Sequence, residues 1–326
     1  MRPWPLALAI ALAVGAIGID RSAAQDFPSR PVTIVIPFPP GGAFDATGRI
    51  IAERMRLALG QPVIIENVGG AAGNIGVARV ARAAPDGYTL SYGIWSTHVI
   101  NAAIYPLGYD VVKDFAPIAL LATSPQVIVS SNAVPAKDLR GLIAWLKADP
   151  GRATLATVGP GSPPHVAGLL LEQLTQTRVR FVPYRGGAPA AQDLLSGQVD
   201  LSILQPAVVL PYVRAGKLRA YAVAAAARLT AAPEIPSADE AGVPGLHVST
   251  WSSLWAPKGT PREIVMKLNA AVTEALADAD VRKRLAEIGQ EIPPRAQQTP
   301  QALAALQLAE IAKWWPIIRA AHVEAQ

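Results

Sequence analysis

Val32-Thr-Ile-Val-Ile-Pro-Phe-Pro-Pro-Gly-Gly-Ala-Phe-Asp45 reads as a strand, a stop and a helix start in direct succession. Its first five residues are an apolar, β-branched run, the composition of a strand covered on both faces. Pro37 cannot donate to a ladder and ends it. Beyond Gly41-Gly42, apolar residues recur at helical spacing as Ile51, Met55 and Leu59, and Gly60 supplies a C-terminal stop. Strand, loop and helix in this order form a βα unit. The loop at a strand's carboxyl end is where open α/β sheets bind their ligands.

The same alternation continues in both directions of reading. Val63-Ile-Ile65 is the next strand, followed by a glycine-rich loop, Gly69 to Gly76, an alanine-rich helix, the turn Pro85-Asp-Gly87 and a strand from Tyr88 to Tyr92. In the middle, strands at 126–130, 154–157, 179–182, 199–204 and 218–223 alternate with apolar helical stripes such as Leu139, Leu142, Ile143 and Leu146. Towards the end the helices lengthen. Thr260-Pro261-Arg262-Glu263 predicts a helix with Thr260 as N-cap and Pro261 in its first turn, and Thr299-Pro300 opens the last helix. The pattern predicts an α/β protein with mostly parallel sheets, and its length suits two sheets of about four to six strands better than one very wide sheet.

With 326 residues, 51% of them hydrophobic and 16% charged, the chain has ample material for two buried cores. Its formal charge is +5, but the Lys and Arg residues are scattered with no basic block, which argues against a nucleic-acid partner. Absence of cysteine excludes disulfides, thiolate metal sites and a Cys nucleophile. Arg2, the apolar run Leu6 to Ile19 and the small residues Ser22-Ala23-Ala24 predict a secretion signal over residues 1–24, cleaved before Gln25. The run is short for a membrane anchor, and no later segment resembles a transmembrane helix.

Several strand-end loops carry candidate chemistry. Phe38 to Asp45 places two glycines at a helix start, where backbone N–H groups and the helix dipole suit an anion; it could equally be a tight turn with Asp45 as a cap. Trp95-Ser-Thr-His98 offers two hydroxyls and an imidazole, or a plain helix cap. Gly159-Pro-Gly-Ser-Pro-Pro-His165 has the same character, with Ser162 as N-cap and Pro163 next to it. Tyr184-Arg-Gly-Gly187 precedes another helix; Arg185 either pairs with a carboxylate or is a solvated loop cation. Neither glycine loop has a dinucleotide or Walker pattern. The four histidines, His98, His165, His247 and His322, lack metal-ligand spacing, and Ser162 is not in a nucleophile elbow. No cofactor, metal or catalytic group is therefore assigned, although spacing alone leaves a spatial Ser–His–Asp set open.

Taken in order, these pieces carry a family likeness. Phe27-Pro-Ser-Arg-Pro31 with Pro39-Pro-Gly-Gly42, Gly70-Ala-Ala-Gly-Asn-Ile-Gly76, Ala84-Pro-Asp-Gly-Tyr88, Asp114-Phe-Ala-Pro-Ile118, Val182-Pro-Tyr-Arg-Gly-Gly187, Asp193-Leu-Leu-Ser-Gly-Gln-Val-Asp200 and Ala256-Pro-Lys-Gly-Thr-Pro261 resemble the tripartite tricarboxylate transporter receptors, also called the Bug family. The likeness covers essentially the whole chain after residue 24. It implies a two-lobed periplasmic-binding-protein fold of type II, the Venus flytrap. Lobe 1 would comprise residues 25–124 and 223–326, and lobe 2 residues 125–222.

The resemblance further implies a monomeric periplasmic receptor, not an enzyme, that passes a small organic acid to membrane permease subunits. Alternatives are a ligand sensor for a signalling partner and a secreted hydrolase. Carried over position by position, the ligand contacts would be Phe38, Gly41, Gly42, Asp45, Ser96, Thr97 and His98 in lobe 1, and Ser162, His165, Tyr184 and Gly187 in lobe 2. One position departs from the family pattern: after Gly197-Gln-Val-Asp200 and its strand, where relatives commonly carry an acid, stands Gln205. A neutral amide both donates and accepts, so Gln205 would leave room for a second acidic or polar group on the ligand. Phe44, often a small residue in the family, would line an apolar part of the cleft or pack within its helix.

Overall fold

The computed structural model describes residues 27–323, so the predicted signal segment lies outside the described residues. Two five-stranded sheets organise the chain. The first has the order β2-β1-β3-β10-β4, from β1 (Val32–Ile36), β2 (Val63–Asn67), β3 (Thr89–Ile94), β4 (Phe115–Pro125) and β10 (Ser249–Pro257). The second has the order β7-β6-β8-β5-β9, from β5 (Val127–Ser131), β6 (Thr154–Thr157), β7 (Arg180–Pro183), β8 (Leu201–Leu204) and β9 (Leu218–Val223). Strand roles match between the sheets: β6, β7 and β8 repeat the arrangement of β1, β2 and β3.

The sheets are mixed, with four of the five strands in each running the same way, as a mostly parallel pattern predicts. In each, the first three strands pair in parallel, while a crossing strand, β10 or β5, enters antiparallel between the third strand and the edge. The cause is the route of the chain. Strand β4 leaves the first sheet and becomes β5 of the second after the single residue Gln126, and the return path brings β10 back reversed. An apolar run records burial but not direction.

Helices α1 (Ala43–Leu59), α2 (Asn74–Ala81), α3 (Asn101–Ile104), α8 (Arg262–Ala277), α9 (Ala279–Glu287) and α10 (Pro300–Ala320) accompany the first sheet, and α4 (Leu139–Ala148), α5 (Pro163–Thr175), α6 (Gly187–Ser196) and α7 (Pro206–Arg214) the second. The stripe on α1 is buried as its spacing requires, with Ile51, Met55 and Leu59 packed in one core with Leu268, Val272 and Leu276 of α8. Each such side chain contributes about 1.5–3 kcal/mol by leaving water. Gly60 ends α1 in the left-handed region at φ 68°, and its N–H returns to the Arg56 carbonyl. Helix α8 begins one residue later than predicted. Pro261 is its N-cap, because the Thr260 hydroxyl donates to the Pro257 carbonyl at 2.8 Å instead of capping. Thr299 does cap α10, accepting from the Ala302 N–H at 3.1 Å.

A separate core fills the second sheet, and it also takes Leu229, Ala232 and Ile235 from the return path. A third cluster is continuous between the two halves: Trp314 and Ile318 of α10 share it with Leu142 of α4 and Leu171 of α5. Among the described residues no helix is long and apolar enough to cross a membrane.

Candidate functional site

The carboxyl ends of β1 and β3 in the first sheet and of β6 and β8 in the second face a shared cavity of about 460 Å³. From the first half come Phe38 and Phe44, the β3 end Ile94-Trp95-Ser96, Ala72, and Asn101, Ile104 and Tyr105 of the α3 region. From the second half come Val158 to Pro164, Gly187, Leu204, Gln205 and Val208, and the crossings add Gln126 and Thr250. Every lining side chain is uncharged.

Local chemistry fixes the first wall. The Phe38 and Phe44 rings lie 5.6 Å apart, and Phe44 rests on Tyr92 at 6.3 Å, so Phe44 both lines the cavity and packs in its helix. Phe38 can lie there because residue 73 is glycine. With φ 92°, a Cβ at that position would stand 2.8 Å from Thr97 Cγ2 and 3.3 Å from the Phe38 ring. The Trp95 and Trp314 indoles both donate to the Glu310 carboxylate, at 2.7 and 2.9 Å, and meet edge to face. Asn101 ties α3 to the glycine-rich loop, its Nδ2 donating to the Ala72 carbonyl at 3.0 Å and to Asn74 Oδ1 at 2.7 Å.

Three helices of the second half begin at the cavity: α5 behind Ser162, α6 at Gly187 and α7 behind Gln205. At none of them does the N-cap side chain make a capping bond. Ser162 holds the predicted N-cap position, but its hydroxyl donates to the Gly159 carbonyl at 2.6 Å and braces its own loop. Pro163 and Pro164 remove two donors from α5, whereas Gly187 presents a backbone N–H without a Cβ in front of it. At the crossings Gln205 Nε2 donates to Thr250 Oγ1 at 3.4 Å, and both Thr250 Oγ1 and Gln126 Nε2 donate to the Ser124 carbonyl, at 3.3 and 3.2 Å.

Of the residues selected from sequence, the cavity brings together Phe38, Ser96, Ser162, Gly187 and Gln205. The others lie outside its lining. Gly41 and Gly42 are exposed at the start of α1. Asp45 is 5% exposed and accepts from the Gly41 N–H, Arg49 Nε and Asn67 Nδ2, each at 3.0 Å. Thr97 and His98 are core residues. Thr97 Oγ1 bonds the Ile94 backbone, and the His98 ring stacks on Trp255 at 5.0 Å. His165 Nδ1 accepts from the Gly161 N–H at 3.0 Å, and burial pushes its pKa down. The Tyr184 hydroxyl donates to Asp193 at 2.7 Å, and desolvation, reinforced by that carboxylate, raises its pKa to about 12. Arg185 is exposed, in keeping with a loop cation.

Sequence reading passed over Asn101, Ile104, Tyr105, Gln126 and Thr250. Gln126 links β4 to β5 and Thr250 lies on β10, and only the meeting of the two halves reveals them. No group of three His, Asp or Glu side chains among the described residues is placed to hold a metal ion.

The Arg49 guanidinium, helped by Gly41 and Asn67, holds the Asp45 carboxyl at about 2, well below its usual 3.8. A depressed carboxylate stabilises the fold above its unfolded pKa and loses that contribution as pH falls through the folded value. Arg49 is half exposed, which weakens the pair. Asp45→Asn is expected to remove about 1–2 kcal/mol at neutral pH. Urea unfolding at pH 7 and again near the folded pKa measures it; an unchanged gap between variant and wild type at both values would sink the assignment.

A sequence model described as the tripartite tricarboxylate transporter family receptor matches residues 47–323. The chain belongs to that family. The family is one of solute-binding receptors and not of enzymes, so the hydrolase alternative falls. Among curated relatives, the protein BugT of Bordetella pertussis is 34% identical over 95% of this chain and 95% of its own length. Among solved structures, MatC from Rhodopseudomonas palustris with bound malate is 42% identical, covering 90% of this chain and 100% of that one at a TM-score of 0.76. Rpa4515 of R. palustris, solved with adipate, is 34% identical, covering 92% and 100% at a TM-score of 0.79. The two helix-flanked mixed sheets match these structures and that of the periplasmic binding protein BugD, 35% identical, covering 92% of this chain and 100% of that one at a TM-score of 0.75.

Proposed function

We propose that this receptor is secreted to the periplasm by residues 1–24, captures a small carboxylate between two lobes and delivers it, as a monomer, to the permease subunits of a tripartite tricarboxylate-type transporter. The lobes are residues 25–124 with 223–326, and residues 125–222. The observation that carries the reading is the uncharged cavity onto which three uncapped helix starts open. Helix dipoles and backbone N–H groups favour an anion there without a cationic side chain. Gln205, Gln126, Ser162 and Asn101 supply neutral polar groups, and Phe38, Phe44 and Trp95 give the body of the ligand an apolar wall. A cavity of about 460 Å³ suits a small organic acid. The malate and adipate held by two family members support the same class.

Native mass spectrometry of freshly purified protein, followed by a thermal-shift panel of mono-, di- and aromatic carboxylic acids, tests it. An acid present at about 100 times its dissociation constant adds roughly 2.7 kcal/mol of stability. Flat melting curves across the panel would remove the carboxylate.

A further inference from the structure

Ile104 and Gly161 both line the cavity and belong to different halves of the molecule. Ile104 ends α3 beside the first sheet, and Gly161 lies in the loop between β6 and α5 of the second. A Cβ placed on Gly161 would stand 2.2 Å from Ile104 Cδ1 and 3.4 Å from Ile100 Cγ2. The isoleucine methyl therefore occupies the space a side chain at 161 would need. Both partners are braced. The Gly161 N–H is held by His165 Nδ1, and the Ser162 hydroxyl ties the same loop to Gly159. Asn101, one turn before Ile104, is bound to Ala72 and Asn74.

Among the described residues the chain crosses between the halves at the β4–β5 junction and along the return path from β9 to β10, and α10 packs against both halves. Halves that part by pivoting at these crossings separate across the cavity, so the Ile104–Gly161 contact, which spans it, is made on closing and broken on opening. We infer that Ile104 against Gly161 is the closing contact of the receptor, and that residue 161 must be glycine for the ligand to be enclosed. A side chain there would hold the halves apart or turn Ile104 into the cavity it lines. Either outcome lowers affinity, because binding would then have to draw on a less populated closed state. The affinity claim rests on the ligand reading above; the geometric claim does not.

The test uses Gly161→Ala, Ile104→Ala and the double variant, with adipate as the calorimetric probe. Because the chain has no cysteine, spin labels on Lys113→Cys and Arg152→Cys, whose side chains are 76% and 78% exposed, report the separation of the halves by pulsed dipolar spectroscopy. Gly161→Ala is expected to weaken adipate at least about tenfold, equivalent to about 1.4 kcal/mol. It should also shift the distance distribution to longer values, with Ile104→Ala restoring most of both. Residue 161 has φ 70°, where alanine is strained. Ile104→Phe therefore serves as a second wedge that leaves that backbone untouched, and it should lengthen the distances likewise. Unchanged distances in both wedge variants, or a loss that Ile104→Ala does not rescue, would overturn the closing contact. If wild type binds neither adipate nor any acid of the panel, the carboxylate reading fails by itself, and the distances still decide the contact.

Discussion

Gln205→Glu is expected to lower the affinity for the receptor's acid by two to three orders of magnitude at neutral pH. Gln205 immediately precedes α7, its amide reaches Thr250 across the halves, and no charged side chain lines the cavity around it. Glutamate has nearly the same shape, so the substitution changes charge with little change in packing. The start of α7 would help keep the new carboxylate ionised. Two like charges about 4 Å apart repel by about 4 kcal/mol at an effective dielectric constant of about 20. At about 1.4 kcal/mol per decade this corresponds to a loss on the order of 10²–10³ in affinity. The amide would also lose its ability to donate to Thr250. Gln205→Ala, which removes the contact without adding charge, should lose far less. Calorimetric titration of wild type and both variants with the best acid of the panel measures the series. Binding of that acid by Gln205→Glu within about threefold of wild type would mean that its carboxylates lie well away from residue 205. The same result would remove the idea that this amide makes room for a second acidic group.

The strand, loop and helix from Val32 onward are legible in the amino-acid sequence because each boundary has a local chemical cause. Pro37 stops a ladder, Gly60 accepts a left-handed conformation, and the stripe on α1 repeats every helical turn. Strand direction has no such cause. The run that forms β5 looks like its parallel neighbours, whereas β10 carries no strand pattern that the sequence marks, and the crossing of the chain reverses both. The site divides along the same line. Phe38, Ser96, Ser162, Gly187 and Gln205 stand at strand ends or helix starts, positions a sequence pattern marks, and they meet in the cavity. Gln126 and Thr250 reach the cavity where the chain crosses between the halves, which no spacing encodes. Asp45 and Tyr184 carry groups that look suited to a ligand, yet each is occupied within its own half, by Arg49 and by Asp193. A polar side chain in the right loop is a candidate until its hydrogen bonds are counted.

His98 is the sharpest case of that rule, and it predicts an acid sensitivity of the fold. The ring is fully buried between Trp255 and Phe115, Nδ1 meets the Thr97 hydroxyl at 3.0 Å, and Nε2 has no hydrogen-bond partner. Desolvation drives its pKa from 6.5 down to about 3, so the folded protein keeps this imidazole neutral through mildly acid solution. The unfolded chain takes up a proton below its ordinary pKa of about 6.5, while the native state does not. The unfolded state then binds more protons, and stability falls as pH falls. From this residue alone the loss approaches about 1.4 kcal/mol per pH unit well below pH 6.5, and amounts to about 1.6 kcal/mol between pH 6.5 and 5. His165, whose pKa burial also lowers, adds a contribution of the same sign. His98→Phe keeps an aromatic ring against Trp255 and leaves the Thr97 hydroxyl its bond to the Ile94 carbonyl, but it cannot titrate. Its unfolding free energy should therefore decline less steeply over that interval, by about 1.6 kcal/mol. Chemical denaturation of wild type and variant at half-unit steps between those pH values gives the two slopes. Equal slopes would show that His98 is protonated in the folded protein, and that its place in the core is wetter than its packing implies.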